Sequence, residues 1–182
     1  MKYLKIYEDF KISLNEDNFE LDQKNFGDLN FRLSPNVEPN RLTRITTDTY
    51  DPNFKDIKEN DCFVFGSNLQ GIHTRGSGRF AISKGWADEN QISGPSSNGK
   101  SYAIPTQNNR IDLPLEEIKK HVDEFLDFAD KNQNTNFLVT KLGTGTVGYK
   151  VEQIAPLFKR AEEIVNICLP KEFWDNILYE AY

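Results

Sequence analysis

Short runs of apolar residues alternate along this chain with longer segments in which apolar residues recur every three or four positions. Four short runs predict buried strands, at residues 62–65, 101–106, 137–142 and 166–170. Four longer segments predict helices, at residues 78–87, 115–129, 151–165 and 173–179. Strands that alternate with helices are typical of a layered α/β domain.

Prolines set two of the predicted boundaries. Pro105 is expected to end the strand at residues 101–106, because proline cannot donate to a sheet ladder. Pro156 fits only the first turn of a helix, so the regular helix in residues 151–165 is expected to begin near it. Residues 92–100 are rich in Gly, Pro, Ser and Asn and predict a surface turn.

The start of the chain has a different character from the rest. Residues 1–43 are polar and rich in Asn and Asp, with short alternating pieces at residues 3–7 and 29–33. We expect residues 1–43 to form an N-terminal extension of short strands, and residues 44–182 to form the α/β domain.

Two of the predicted strands lead directly into glycine-rich loops, which we name the first loop (residues 66–78) and the second loop (residues 143–149). Their glycines are Gly66, Gly71, Gly76, Gly78, Gly143, Gly145 and Gly148. Glycine lets backbone N–H groups approach an anion closely, as in strand–loop–helix units that hold phosphates. Ligands of open α/β sheets lie at the carboxyl ends of strands. If the two strands are neighbours, both loops should line one cleft.

Two other interpretations of these glycines compete with a phosphate site. Gly143, Gly145 and Gly148 match the G-x-G-x-x-G spacing of a dinucleotide-binding Rossmann unit. Only one short strand follows them, however, which leaves no room for that fold. The glycines of either loop alone also fit tight turns that bind nothing. Two loops at the ends of two buried strands favour a ligand site.

Polar side chains between the glycines supply candidate ligand contacts. Asn68 can donate and accept, which suits a pair of ribose hydroxyls, and Arg75 or Arg79 can meet a phosphate or a terminal carboxylate. His73 is a candidate general acid or base. Tyr149 fits a place over a sugar or base and fits a core position equally well. Each polar residue is also compatible with a solvated loop.

Charge and cysteine content exclude several classes of partner. The net charge of -6 argues against a broad surface for duplex nucleic acid, which requires a basic face. No apolar run approaches the roughly 20 residues of a membrane span, so we expect no membrane partner and a cytoplasmic location. Cys62 and Cys168 lack short metal-ligand spacing and are expected to be buried reduced thiols, with no metal site.

Several motifs together resemble a family of small, largely uncharacterised proteins from bacteria and their phages. The motifs are FVFGSNLQGIH, SYAIPT, LPLEEI, FLVT, GTVGY and IAPLF. They span about residues 44–169, so the N-terminal extension lies outside the resemblance. The chain departs from this family at Thr74 and Arg75, where small residues usually follow the histidine. The phage members of the family imply a location in the host cytoplasm.

At a greater distance, the layout resembles a macro domain, an α/β/α module whose ligands are ADP-ribose and its derivatives. In macro domains a strand that ends in Asn precedes a glycine-rich loop, and Asn68 with the first loop is similar to that element. A later loop wraps the diphosphate, and residues 144–149 are similar to it, with Val147 where an aromatic residue often stands. The resemblance implies a three-layer α/β/α mixed sheet, and it implies that Asp48 holds an adenine amine.

Three functions are consistent with these expectations. The leading hypothesis is a binding module for an ADP-ribose-like nucleotide, in one version a phage anti-defence protein that sequesters an NAD-derived immune signal. The second is a hydrolase of ADP-ribose derivatives, with Asn68 or His73 assisting. The third is an interaction protein with a degenerate cleft, whose N-terminal extension binds a protein partner. None requires a cofactor, and the sequence does not indicate an oligomeric state.

The first hypothesis assigns ligand contacts to both loops and to their flanking residues. The assigned set is Phe65, Gly66, Ser67, Asn68, Leu69, Gly71, His73, Arg75, Gly76, Gly78, Gly143, Thr144, Gly145, Thr146, Val147, Gly148 and Tyr149.

Overall fold

A mixed β-sheet with helices on both faces forms the α/β fold of this protein. The computed structural model describes residues 45–46, 57–145 and 147–179. The predicted extension at residues 1–43, with its short strands at 3–7 and 29–33, lies outside the described residues. Within the described residues the alternation of strands and helices confirms the α/β class.

Seven strands of the described residues make one sheet. They are β1 (Ile45–Thr46), β2 (Asp61–Asn68), β3 (Gly94–Pro95), β4 (Ser101–Asn108), β5 (Ile111–Asp112), β6 (Asn136–Val139) and β7 (Ile167–Pro170). The order across the sheet is β1-β7-β6-β2-β4-β3, and β5 pairs with β4 outside this path. The neighbouring pairs β1–β7, β7–β6, β6–β2 and β2–β4 are parallel, whereas β3 and β5 run antiparallel to β4. Four adjacent strands, β7, β6, β2 and β4, therefore end at the same edge.

Helices cover both faces of this sheet. They are α1 (Gly76–Ser83), α2 (Leu115–Lys131), α3 (Val151–Ile154), a 3-10 helix (Ala155–Glu162) that continues α3, and α4 (Lys171–Tyr179). α1 packs on one face through Ala81, while α2, the 3-10 helix and α4 pack on the other. No helix of the described residues is both long and apolar enough to cross a bilayer.

Strand β2 is buried on both of its faces. Phe63 and Phe65 point towards α1 and are fully buried, and Cys62 and Val64 point towards α2 and are buried as well. Successive side chains of a strand alternate between faces, so an unbroken apolar run is what a central strand needs. Burial raises the pKa of the Cys62 thiol to about 12 and keeps it protonated. The prediction of a buried, free thiol is confirmed for Cys62, whereas Cys168 is only half-buried.

The predicted amphipathic stripe of α2 is confirmed. Its residues Ile118, Val122, Phe125, Leu126 and Ala129 are buried in the larger core. The ring of Phe125 meets those of Tyr102 and Phe137 edge-on, with centroids 5.1 and 5.5 Å apart. Such edge-on contacts stabilise the core beyond the burial of apolar area, and they fix the position of α2 on the sheet.

Two predicted strand ends were wrong. β2 continues three residues past Phe65 to Asn68, so Gly66 belongs to the strand and not to a loop. β4 continues past Pro105 to Asn108, because Pro105 pairs opposite Ser67 at a β-bulge, where a missing N–H interrupts no ladder hydrogen bond. The predicted turn at residues 92–100 also contains a short strand, β3, which pairs with β4.

The predicted helix start at Pro156 was also wrong. A regular helix, α3, occupies residues 151–154 before the proline, and a 3-10 helix follows it. The side chain of Gln153 accepts a hydrogen bond from the backbone N–H of Lys150 at 3.0 Å, which starts the helix there. The capping hydrogen bond at Lys150, and not Pro156, therefore sets where the helix begins. The predicted strand 137–142 is shorter than expected and ends at Val139.

A buried amide joins the end of α2 to the start of β7. Asn166 precedes β7, and its Nδ2 donates to the carbonyl oxygens of Ala129, Asn132 and Thr135 at 3.0, 3.0 and 2.9 Å. These carbonyls lie in the last turn of α2 and in the turn that leads to β6. Helix ends leave carbonyl groups without helical partners, and here one side chain supplies a donor in addition to the backbone N–H groups of Asn132 and Thr135. Asn166 thus fixes where α2 ends and where β6 begins.

We predict that Asn166→Ala lowers the free energy of unfolding by about 1–3 kcal/mol, because the carbonyl oxygens of Ala129, Asn132 and Thr135 lose the side-chain amide that joins them. Urea denaturation followed by circular dichroism measures the change. Asn134→Ala is the control, since Asn134 is exposed in the same turn, and it should change stability by less than about 0.5 kcal/mol. Equal stability of the Asn166→Ala and Asn134→Ala variants would contradict the role given to the buried amide.

Candidate functional site

A cleft of about 950 Å³ lies at the carboxyl ends of β7, β6, β2 and β4. Four segments form its walls: the first loop after β2, the second loop after β6, the hairpin that joins β4 to β5, and the start of α4 after β7. The two strands that carry the glycine-rich loops, β2 and β6, are direct neighbours. The expectation that both loops line one cleft is therefore confirmed.

The structure separates the predicted site residues into two groups. Those that line the cleft are Gly66, Ser67, Asn68, His73, Arg75, Gly76, Gly143, Thr144, Gly145 and Val147. Those that are not part of the lining are Phe65, Leu69, Gly71, Gly78, Gly148 and Tyr149. Asp48 and Thr146 lie outside the described residues.

The side chain of Asn68 organises the first loop. Its Oδ1 accepts hydrogen bonds from the backbone N–H groups of Gln70 and Ile72, both at 3.0 Å, and its Nδ2 donates to the carbonyl oxygen of Ile72 at 2.5 Å. These bonds close residues 68–72 into a compact turn. An amide nitrogen carries two hydrogens, so one N–H of Asn68 remains for a ligand.

Gly71 lets this turn pass close to the chain at Asn90. Its φ is +68°, and a Cβ built there would lie 2.6 Å from the backbone oxygen of Asn90. A side chain at this position would meet both the strain of the left-handed region and a contact with rigid backbone. The glycine therefore holds the first loop against the segment that precedes β3.

His73 anchors the other end of the same turn. Its Nε2 lies 2.8 Å from the carbonyl oxygen of Gln91, so this nitrogen donates, and its ring meets Phe65 edge-on with centroids 5.3 Å apart. A Cβ at Gly78 would lie 2.8 Å from the Nδ1 of His73, so the ring is also pressed against α1. Burial lowers the pKa of His73, and the hydrogen bond to Gln91 partly offsets this effect. His73 is thus a neutral support of the loop.

Helix α1 begins at the cleft. Its first residues, Gly76 and Ser77, line the cavity, and the preceding Arg75 makes no side-chain hydrogen bond that caps the helix. The first N–H groups of a helix have no helical acceptor, and the helix dipole adds partial positive charge at this end. This geometry suits an anion.

Gly143, Thr144 and Gly145 of the second loop line the same cavity. After β6, Thr144 bonds back to the carbonyl oxygen of Lys141 through its Oγ1 at 2.8 Å, which turns the chain sharply. Gly143 has a φ of +77°, and a Cβ there would lie 2.9 Å from the Cδ1 of buried Ile154. Within the described residues, the N–H groups of Gly143 and Gly145 have no hydrogen-bond acceptor. They are available to a ligand.

The far end of the second loop is tied to the β4–β5 hairpin. The N–H of Gly148 donates to the Oδ2 of Asp112 at 3.0 Å, and the hydroxyl of Tyr149 donates to the carbonyl oxygen of Leu113 at 2.7 Å. Tyr149 is half-buried and packs against the core. The ring therefore anchors the loop from behind, which matches the core interpretation of this residue and not the one that stacks it on a sugar.

Positive charge dominates the lining of the cleft, although the chain as a whole has a net charge of -6. The charged residues of the lining are Arg75, Arg110, Lys141, Lys171 and Glu172. Lys141 pairs with Glu172 at 2.6 Å, and this bond lowers the pKa of the Glu172 carboxyl. Within the part of the chain that the structure describes, Arg75 and Arg110 have no carboxylate at ion-pair distance.

Thr140 adds a polar group without a partner. It follows β6, lines the cleft and is 4% exposed, and its Oγ1 has no hydrogen-bond partner within the described residues. A buried hydroxyl without a partner is unfavourable by about 1–3 kcal/mol.

Several polar residues of the lining were not predicted. They are Gln70, Thr106, Gln107, Asn109, Arg110, Thr140, Lys141, Lys171 and Glu172. Most of them follow the ends of β4, β6 and β7. The rule that ligands meet the carboxyl ends of parallel strands could have found them, had it been applied to every predicted strand and not only to those with glycine-rich loops.

Comparisons with known proteins give no match for this chain. No protein-family model, curated protein or solved structure matches the chain. Among the residues that the structure describes, no group of three or more His, Cys, Asp or Glu side chains could hold a metal ion. The geometry and charge of the cleft are therefore the starting point for its function.

We predict that Gly71→Ala destabilises the protein more than Gly99→Ala does. Both glycines have φ near +70°, but a Cβ at Gly99 would have no atom within 4 Å. Gly99→Ala should lower the free energy of unfolding by about 1 kcal/mol through backbone strain alone. Gly71→Ala should lower it by at least about 1 kcal/mol more, through the contact with Asn90. Equal losses in urea denaturation would show that the contact relaxes freely.

We also predict that His73 makes stability depend on pH. The pKa of His73 in the folded state lies below the value of about 6.5 expected when unfolded, so the unfolded state binds more protons as pH falls through that value. Stability from neutral His73 is therefore full above about pH 7 and is lost at lower pH. The advantage of wild type over His73→Gln should be larger at about pH 7.5 than at about pH 5.5. A midpoint for His73 at or above 6.5 in an NMR titration would contradict this prediction.

Proposed function

We propose that the cleft binds an ADP-ribose-like nucleotide, with its diphosphate between the first and second loops. The observation that carries this proposal is that the start of α1, at Gly76 and Ser77, and the glycine-rich turn at Gly143 and Gly145 line a single cavity. Backbone donors at a helix start and in a glycine-rich loop are the usual means by which α/β proteins hold phosphates.

The size and charge of the cavity support the same class of ligand. Its volume of about 950 Å³ is at the upper end of the roughly 300–1,000 Å³ typical of small-molecule sites. Arg75 stands directly before α1 and is able to form a charge-assisted hydrogen bond to a phosphate. The polar ends of β2 and β4, with Asn68 and Gln107, offer donors and acceptors for a sugar.

Binding is favoured over hydrolysis by the contacts of the two candidate catalytic residues. Asn68 uses most of its hydrogen-bonding capacity to close the first loop, and the Nε2 of His73 donates to Gln91. Neither is placed to take a proton from water. Sequestration of an NAD-derived signal, which the phage resemblance implies, requires a ligand that is held and released intact.

We predict that ADP-ribose stabilises the protein against thermal unfolding, by about 2.7 kcal/mol at 100 times its dissociation constant. Gly145→Val should weaken binding at least tenfold, because Gly145 lines the cleft and its Cβ would point into open space. The melting temperature without ligand should stay unchanged, since no atom lies within 4 Å of that Cβ. Calorimetry and differential scanning fluorimetry measure the two effects.

Graded and remote variants control this experiment. Gly145→Ala adds a smaller side chain and should weaken binding less than Gly145→Val, whereas Asn134→Ala, which is outside the cleft, should bind as wild type does. Chromatography of the incubated ligand separates binding from hydrolysis, and intact ADP-ribose is the expected result. No stabilisation by ADP-ribose, or equal affinity in the Gly145→Val variant, would refute the proposed site.

A further inference from the structure

Three consecutive backbone carbonyl groups support the first loop from outside the cleft lining. They belong to residues 90–92, which we name the seat, in the connection between α1 and β3. The first carbonyl lies against Gly71, the second accepts from the Nε2 of His73, and the third accepts from the hydroxyl of Ser67. The seat therefore contacts the first loop at three points, and the position of that loop depends on the position of the seat.

Hydrogen bonds from one side chain hold the seat, whose three residues belong to neither a helix nor a strand. The side chain is that of Gln91. Its Nε2 donates to the carbonyl oxygen of Gly94 at 2.8 Å, and its Oε1 accepts from the hydroxyl of Ser101 at 2.9 Å and from the backbone N–H of Asp88 at 3.3 Å. Gln91 thus ties the seat to β3, to β4 and to the segment that follows α1.

Burial makes the residue type at position 91 important. Gln91 is 6% exposed, and it does not line the cleft. Burying an amide is unfavourable unless its donor and acceptor are paired, and Gln91 pairs both. An apolar side chain of similar length would fill the space, but Gly94 and Ser101 would lose these hydrogen bonds. The buried amide therefore determines how firmly the seat is held.

The ring of His73 connects the seat to the start of α1. Its Nε2 bonds to the seat, and a Cβ built at Gly78 would lie 2.8 Å from its Nδ1. Gly78 is in the first turn of α1, and the first two residues of this helix, Gly76 and Ser77, line the cleft. A continuous series of contacts thus leads from Gln91 through His73 and Gly78 to the cleft end of α1.

We propose that Gln91 is a positioning residue of the cleft, which sets the place of the first loop and of the start of α1 without touching the ligand. This inference rests on the proposed function, because that function supplies the ligand whose affinity is measured. Hydrogen bonds weaken steeply when their alignment is lost, so a displaced wall binds less tightly. Substitutions that act on a binding site through a packed network typically change affinity by about 3-fold to 30-fold.

The test replaces Gln91 by methionine, which has a similar length and flexibility but lacks the amide hydrogen bonds. Calorimetry should show that Gln91→Met binds ADP-ribose about 3-fold to 30-fold more weakly than wild type does. Asn166→Ala is the matched control, because it removes another buried amide outside the cleft. It should lower stability and keep the wild-type affinity. Equal weakening in the two variants would show a general effect of lost stability and would refute the positioning role.

A second measurement needs no ligand. Burial lowers the pKa of His73, and the hydrogen bond to Gln91 offsets this effect only in part. When the seat is displaced, water reaches the ring, so the midpoint of His73 in an NMR titration should rise towards about 6.5 in Gln91→Met. Asn166→Ala should keep the wild-type midpoint. An unchanged midpoint in Gln91→Met would refute the inference.

Ser101→Ala covers the case in which Gln91→Met does not fold. This variant keeps the side chain of Gln91 and removes one of its three hydrogen bonds. Both measurements should change in the same direction as in Gln91→Met, by smaller amounts. Wild-type affinity and a wild-type midpoint in Ser101→Ala would then overturn the inference.

The two measurements distinguish failure of this inference from failure of the proposed function. If wild type does not bind ADP-ribose and the midpoint of His73 rises in Gln91→Met, the proposed function fails and the connection from Gln91 to His73 is supported. If wild type binds ADP-ribose and Gln91→Met binds it equally well, the positioning role is refuted and the proposed function stands.

Discussion

Strand β2 hydrogen-bonds to β4 on one edge and to β6 on the other, and both pairings are parallel. The cleft depends on this double pairing, because parallel neighbours deliver their carboxyl ends to the same edge of the sheet. If β4 or β6 ran antiparallel to β2, the cleft wall that follows it would lie at the opposite edge of the sheet. Burial of β2 on both faces, through Phe63 and Phe65 on one and Cys62 and Val64 on the other, keeps the strand in this central position.

The role of each polar side chain around the cleft does not follow from its residue type alone. Asn68, His73 and Tyr149 have the polar groups that a nucleotide site would use, but each directs its main hydrogen bonds to the backbone of the protein. The groups left for a ligand are backbone N–H groups, one N–H of Asn68 and two arginines, Arg75 and Arg110. Side chains thus shape the loops, and the ligand contacts that we propose come mainly from the main chain.

The periodicity of apolar residues predicted the elements well, because burial on one face of α2 and on both faces of β2 leaves a direct trace in the sequence. The ends of elements were harder to predict, since they depend on partners that are distant in the chain. Pro105 continues a strand because a bulge opposite Ser67 accommodates it. The hairpin wall with Arg110 was missed for a related reason: an Asn-Arg turn lacks the glycine by which such turns are usually recognised.

The closed turn at residues 68–72 has a thermodynamic consequence for association. Asn68 fastens the turn by three hydrogen bonds, and Gly71 seats it against Asn90, so the loop has its binding shape before a ligand arrives. Ordering a flexible loop on binding costs free energy and weakens affinity. Folding has already ordered this loop, so binding does not incur that cost. If the proposed nucleotide enters this cleft, it meets a wall that folding has already ordered, so little affinity is lost to ordering of the loop.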